Sequence, residues 1–159
     1  MNSVITGNKL ENNYNGLYIC YDSQNTVVGN TIANSTSVAI LFWNASGNIL
    51  YCNNFIDNEV QTSAIERSIN IWDNGKRGNF WSDYTGSDLN GDGLGDMPYI
   101  IDDNQQDHHP LVTLFDSDNN NSCLPIETEP LPPLLFAIIG LAIAIAIIGI
   151  VIHFIKHNG

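Results

Sequence analysis

The sequence predicts an all-β fold: a parallel β-helix with rungs of 22–23 residues, followed by an irregular cap, a linker and one transmembrane α-helix. Three observations predict it. A Gly-Asn-x-aliphatic-x-Asn phrase stands at Gly7–Asn12, returns 22 residues later at Gly29–Asn34, and returns in altered form at Cys52–Asp57 after a further 23. Two other columns keep step with it, Gly16-Leu17-Tyr18-Ile19 against Val38-Ala39-Ile40-Leu41 and Asn25-Thr26-Val27-Val28 against Asn48-Ile49-Leu50-Tyr51. Each period also holds three short apolar runs divided by Asn and Gly, too short and too β-branched to be helices. A strand-built repeat of this length is a solenoid.

Residues 1–77 form the rungs. Alternate side chains of a strand point inward, so Val27, Ile32 and Ile40 stack on their equivalents one rung away. Gly and Asn at the corners tolerate left-handed backbone. Asn at equivalent corners can also form an amide ladder that satisfies polar groups the turn would bury. The first residues are already in the repeat, since Ser3–Asn8 matches Asn25–Asn30, and no leader-like charged and apolar regions precede them. About two and a half rungs bury little apolar area alone. The expectation is therefore that this chain is the C-terminal piece of a longer solenoid protein, or a truncated reading frame.

From Glu59 to Arg77 the phase blurs, with Ala64–Trp72 as one more degenerate rung ending at the turn Asp73-Asn74-Gly75. Residues 78–114 form a closing segment rich in aromatics and acids. Trp72, Phe80, Trp81 and Tyr84 are placed to stack on the final rung; aromatics in a row also suit a glycan platform. Within Asp88–Asp96, oxygen ligands fall at loop positions 1, 3, 5 and 9 (Asp88, Asn90, Asp92, Asp96), with Gly93 at the sharp turn and the backbone carbonyl of Leu94 at position 7. Hard oxygen donors at every second residue are how a Ca²⁺ loop wraps its ion. Tyr99 replaces the usual bidentate Glu at position 12, so affinity in the ~10⁻⁴–10⁻³ M range is expected.

The run Trp72-Asp73-Asn74-Gly75, Gly78-Asn79-Phe80-Trp81-Ser82-Asp83-Tyr84, Asp88–Asp96, Pro98-Tyr99 and Asp107-His108-His109-Pro110-Leu111 resembles the closing segment of NosD-like proteins. With the repeats, the resemblance covers about residues 2–114. It implies a right-handed parallel β-helix of the periplasmic copper-binding and carbohydrate-binding/sugar-hydrolase (CASH) group, many of whose members look like archaeal surface proteins. Copper is the cofactor that the family name implies. His108 and His109 are adjacent, however, so their side chains are expected to diverge, and no Met or Cys lies near them in sequence. A structural role is expected for them.

Charge and cysteines narrow the classes further. Net charge is −12, yet only 14% of the 159 residues are charged, and eleven of the seventeen acids lie between Asp83 and Glu129 with no Lys or Arg among them. Such a surface has no basic patch for nucleic acid phosphates. Glycosidases need a carboxylate pair facing one cleft, and the rungs carry hydroxyls, Tyr and amides instead; catalysis is not expected. Cys20, Cys52 and Cys123 show no zinc spacing. Cys20 and Cys52 are expected as buried thiols at strand positions.

Residues 115–133 read as a polar, then Pro-rich linker. The uncharged run 134–155 has 22 residues, roughly 33 Å of helix against a hydrocarbon core of about 30 Å. Lys156 follows it in the short tail 156–159 and acids precede it, which places the solenoid outside and the C-terminus in the cytoplasm. A tail-anchored protein with a cytosolic solenoid is the second topology. Asn34, Asn44 and Asn120 head N-glycosylation sequons if the solenoid is exported. The functional expectation is a membrane-anchored, non-catalytic surface module for binding, adhesion or support. Its partners would be the bilayer and surface glycans or proteins, and a calcium-stabilised loop would close it. The alternatives are the C-terminal fragment of a carbohydrate-active enzyme, or a NosD-like copper accessory protein.

Overall fold

A computed structural model describes residues 2–66, 68–116 and Cys123. All lie in one unit, Met1–Pro125. Among the described residues no helix is long and apolar enough to cross a membrane. The span over 134–155, the tail 156–159, the Asn120 sequon and most of the linker 115–133 lie outside the described residues.

The chain winds through three turns. The first is β1 (Val4–Thr6), β2 (Lys9–Glu11) and β3 (Asn15–Cys20). The second is β4 (Thr26–Val28), β5 (Thr31–Ala33) and β6 (Val38–Trp43), and the third is β7 (Ile49–Tyr51), β8 (Asn54–Ile56) and β9 (Val60–Ile65). Equivalent strands pair in parallel as β1-β4-β7, β2-β5-β8 and β3-β6-β9. A fourth turn begins where Ile71 bridges Ile49 and β10 (Phe80–Trp81) adds to β8. The antiparallel pair β11 (Tyr99–Asp102) and β12 (Gln105–Asp107) departs from this winding. The degenerate rung expected over Ala64–Trp72 is thus divided: Ala64 and Ile65 finish the third turn in β9, and Ile71 opens the fourth.

The corners explain the composition. Gly7, Gly29 and Cys52 share one left-handed column, with φ of 66°, 66° and 54°. Asn12, Asn34 and Asp57 share another, with φ of 57°, 54° and 48°. Few residues hold this backbone without strain, and Gly, Asn and Asp lead them.

One expected register is corrected. Leu17 pairs with Ile40 and Ile19 with Phe42, one residue further along than the expected alignment of Gly16–Ile19 with Val38–Leu41. The corner between β5 and β6 holds four residues, where those after β2 and β8 hold three, so between the first two turns the offset is 23 for β3–β6 and 22 for the other two pairs. The extra length lets buried Ser35 sit against Gly16, where a Cβ would collide with Ile32 and the Ala39 carbonyl.

Inside, apolar side chains stack by column. Val27, Ile32 and Ile40 are fully buried, in register with Ile5, Leu10 and Leu17 below and Leu50, Phe55 and Thr62 above. Beside them run two amide columns. In the first, Asn8 Nδ2 donates to Asn30 Oδ1 at 2.9 Å, Asn30 to Asn53 at 3.0 Å, and Asn53 to Asn79 at 2.9 Å. In the second, Asn25 donates to Asn48 and Asn48 to Asn70, both at 2.9 Å. Each Oδ1 also accepts the backbone N–H of the Asn one turn earlier, as Asn53 does from Asn30 at 3.1 Å.

Asn53 illustrates the strength of a column. Its Nδ2 also donates to the carbonyls of Val27 at 2.8 Å and Tyr51 at 3.1 Å. Asn53→Ala would leave these buried groups unpaired, and an unsatisfied buried polar group costs about 1–3 kcal/mol. Denaturant unfolding of the full chain is expected to show a loss of about 2–4 kcal/mol for Asn53→Ala. Asn8→Ala, at the exposed end, is expected to lose less than about 1 kcal/mol.

Candidate functional site

Residues 78–116 fold back over the fourth turn and down one side of the rungs. The amide columns end on β12. Asp107 Oδ2 accepts the Asn79 N–H at 2.7 Å, Asn79 Nδ2 at 3.3 Å and Trp81 Nε1 at 3.0 Å. Gln105 Oε1 accepts the Asn70 N–H at 2.7 Å and Trp72 Nε1 at 3.3 Å. A Cβ on Gly78 would overlap the Asp107 carboxylate, so the Gly-Asn phrase before β10 leaves that carboxylate its room.

The four aromatics considered as a glycan platform are used internally. Trp72 and Trp81 are only 2% and 1% exposed, and Phe80 and Tyr84 are half-buried. Trp81 stacks between Phe55 at 4.4 Å and Tyr99 at 4.3 Å, and Phe42 meets the edge of Trp72 at 5.8 Å. Trp81 has ring neighbours on both faces, and Trp72 is covered as fully, so neither offers a free ring face. Tyr99 donates to Asp83 at 3.1 Å, and its burial beside that carboxylate pushes the phenol pKa well up.

In the Asp88–Asp96 loop the acids are turned to backbone. Asp88 accepts the N–H groups of Gly91, Asp92 and Gly93, Asn90 that of Asp92, Asp92 that of Leu94, and Asp96 that of Leu89. Gly91 and Gly93 take φ of 75° and 86°. Leu94 bridges Leu111, which fixes one side of the loop to the returning chain. The sequons at Asn34 and Asn44 sit on exposed left-handed corners.

His108 and His109 do not diverge as expected. Asp73 draws both rings: its Oδ2 is 3.0 Å from His108 Nδ1, and its Oδ1 is 3.5 Å from His109 Nδ1. Burial pushes the Asp73 carboxyl up, but the N–H groups of Gly75 and His108, the His108 ring and the His109 charge outweigh it and hold the pKa below its ordinary value.

The cysteines also differ from expectation. Cys20 is exposed, and Cys52 is bonded to Cys123. Cys52 holds the corner position of Gly29, and the chain after β12 runs back to it. Leu111 donates its N–H to the Asn79 carbonyl, and Phe115 exchanges two hydrogen bonds with Asn54, at 2.7 and 2.9 Å. Both bonded cysteines are buried with Val28, Tyr51, Leu111 and Phe115. The one signal in the sequence was a Cys where the column has Gly. Beside this returning chain lies an open groove of about 920 Å³, lined by Lys9, Glu11, Thr31, Asn54 and Asp116 among others. Sequence reasoning passed over it, because Glu11 and Asp116 lie 105 positions apart.

Residues 1–86 match the family model described as periplasmic copper-binding protein (NosD). The chain belongs to this family. It is similar to the probable ABC transporter binding proteins NosD of Pseudomonas aeruginosa, at 36% identity over 91 residues, and of Stutzerimonas stutzeri, at 35% over 91. Each match covers 57% of this chain and about a fifth (20%) of the relative. Among the described residues the copper of the NosD description finds no fitting donor set. Among the described residues no three His, Cys, Asp or Glu side chains are grouped to hold a metal. Asp73 Oδ2 takes His108 Nδ1, and Cys123 is in the disulfide.

Asp107 gives the site a pH signature. Burial pushes its carboxyl up to about 6 despite the hydrogen bonds from Asn79, Trp81 and His109. The folded pKa lies above the unfolded value of about 3.9, so the native state binds the extra proton. Stability should therefore fall as pH rises between about 4 and 6, by roughly 3 kcal/mol at most. Asp73 acts oppositely, and its contribution is lost only as pH drops through its lowered pKa. Denaturation of the full chain is expected to show greatest stability near pH 4–5, and Asp107→Asn is expected to remove the slope above it.

Proposed function

We propose that this chain is the closing end of an exported, membrane-tethered β-helix of the NosD type that binds rather than catalyses. One observation carries the reading: in β1–β9 the sole carboxylate is Glu11, and it is paired with Lys9 at 3.0 Å. Hydrolysis of a glycosidic bond takes two carboxylates flanking it, and the rung faces offer hydroxyls, amides and aromatics in their place. Residues 78–114 act as the cap, since Gln105 and Asp107 supply the acceptors that a further Asn rung would present to Asn70 and Asn79. A disulfide supports an oxidising, exported setting, in line with the periplasmic description of the family. The apolar run 134–155 would hold the solenoid at the outer face of a bilayer, with surface glycans or surface proteins as partners.

The loop Asp88–Asp96 would bind Ca²⁺ in this setting, with Asp88, Asn90, Asp92, Asp96 and the Leu94 carbonyl turning from backbone N–H groups to the ion. Glu11 and Asp116, which both line the groove, favour hydrolysis as the second reading.

Three measurements on the intact chain test this reading. Incubation with polysaccharides should release no reducing ends; release that Glu11→Gln abolishes would establish the hydrolase. Reduction of the Cys52–Cys123 bond, which spans 71 residues, should cost about 4 kcal/mol and roughly 10 °C in melting temperature. Unchanged melting would remove the support that the disulfide lends to export. Millimolar Ca²⁺ should raise the melting temperature of the parent but not of Asp92→Ala.

A further inference from the structure

Among the described residues, the β3-β6-β9 sheet lacks the strand that the other two sheets gain in the fourth turn. Ile71 bridges Ile49 and β10 adds to β8, but β9 pairs on one side alone, with β6. The Val60 N–H faces β6 and donates to the Ser37 carbonyl at 3.1 Å, so by alternation the N–H groups of Gln61 and Ser63 face the open edge. The inner columns also end uncovered here. Thr62 and Ala64 stand in register with the fully buried Ile40 and Phe42, yet Thr62 is half-buried and Ala64 exposed. Across the gap lies β11, which pairs with β12 and not with β9. Openings of about 270, 250 and 310 Å³ follow one another along the gap. The first two share Thr62 and Ile101, and the last two share Ala64 and Asp102, so together they make one slot between the strands.

We propose that this slot takes an extended segment of a partner protein, which adds to β9 as the missing strand and carries Lys or Arg on either side of an aliphatic centre. This rests on the reading of the chain as a binding module, and names a site and a partner class for it. An open edge strand is a template for pairing. A strand added to it gains affinity from main-chain hydrogen bonds and specificity from alternate side chains. Phe42, Trp72 and Ile101 line the middle opening, so the side chain that enters there is apolar. It would extend the columns Leu17–Ile40–Thr62 and Ile19–Phe42–Ala64 by one member.

Charge selects the ends of the segment. Glu59 and Asp83 line the first opening, and Asp102 lines the other two. Asp83 accepts from Gln61 Nε2 and the Tyr99 hydroxyl, and Asp102 from the Asn104 N–H and Gln105 Nε2. These donors are neutral, so the carboxylate charges remain for a partner to meet. Among the described residues no Lys or Arg lines the slot. A second copy of this chain fits less well, because pairing two such edges would bring Glu59, Asp83 and Asp102 towards their equivalents, and like charges set against each other oppose association.

The full chain would be titrated in a calorimeter with the blocked peptide Lys-Thr-Ile-Thr-Ile-Thr-Lys, which reads alike in both directions and so presumes neither strand orientation. One control peptide has Glu for Lys, and another has its Ile and Thr nitrogens methylated. Saturable binding of the Lys peptide is expected, weakened by added salt, with amide exchange slowed at Gln61 and Ser63. Neither control should produce these effects. Ser63→Pro removes an N–H from the slot and none from the β6 pairing, and should weaken binding about tenfold or more. Ala64→Phe fills the middle opening and should do the same, while Glu59→Gln should weaken binding about threefold. No binding of the Lys peptide, equal binding of either control, or undiminished binding by Ala64→Phe overturns the proposal and leaves the binding module standing with its site elsewhere. Self-association that protects Gln61 and Ser63 without peptide, seen by sedimentation, overturns it in favour of a second copy. Cleavage of the peptide during the titration would instead contradict the module reading itself.

Discussion

The buried amide columns are what the rest of this structure depends on. A solenoid corner turns backbone N–H and carbonyl groups away from the sheets and into the wall of the core, where each unpaired group costs about 1–3 kcal/mol. An Asn at the corner answers both needs. Its Oδ1 takes the N–H of the Asn one turn earlier, and its Nδ2 reaches backbone carbonyls and the next Oδ1, as Asn30 and Asn53 do. The arrangement has a direction. Every Asn donates onward, so the last one needs an acceptor that passes nothing along the column. Asp107 is a pure acceptor, and Gln105 turns its own Nε2 to the Ser68 carbonyl and Asp102. Burying a carboxylate at the end of a column raises its pKa, so the device that ends the ladder also makes it sensitive to pH.

Much of this was legible because the repeat writes each constraint several times. The columns Gly7–Gly29–Cys52 and Asn12–Asn34–Asp57 could be aligned by eye, and they are left-handed corners. The Asn ladder followed from corner chemistry alone. What escaped was whatever broke the period or crossed it. One extra corner residue near Ser35 shifted β3 against β6, and no spacing rule announces which corner absorbs an insertion. The disulfide joins a corner to a residue 71 positions away. Asp73 lies 35 positions from His108, and their contact needs the turn at Asn74–Arg77 to bring them together.

The aromatics teach the same lesson in energetic terms. A row of Trp, Phe and Tyr was compatible with either a core or a shelf, and position in the winding decided it. Trp81 pairs in register with Phe55 and so falls inside, where the apolar area it buries exceeds what any exposed contact would supply. Tyr18 and Trp43 fall on outward positions of strands that looked wholly apolar. Alternation within a rung, rather than aromatic density along the chain, separates the rings that hold the fold from those that face outward. In this NosD-family chain the inner columns are committed to stability.

Amide hydrogen exchange on the full chain, resolved at Asn30, Asn48, Asn53 and Asn70 and at Gly91–Leu94, tests the central claim most directly. If the columns hold the fold, the four Asn N–H groups should exchange at one slow common rate, set by global opening, while the loop exchanges orders of magnitude faster. Column amides that exchange as fast as the loop, or at four unrelated rates, would show that the apolar stacks alone carry the solenoid, and would contradict the account.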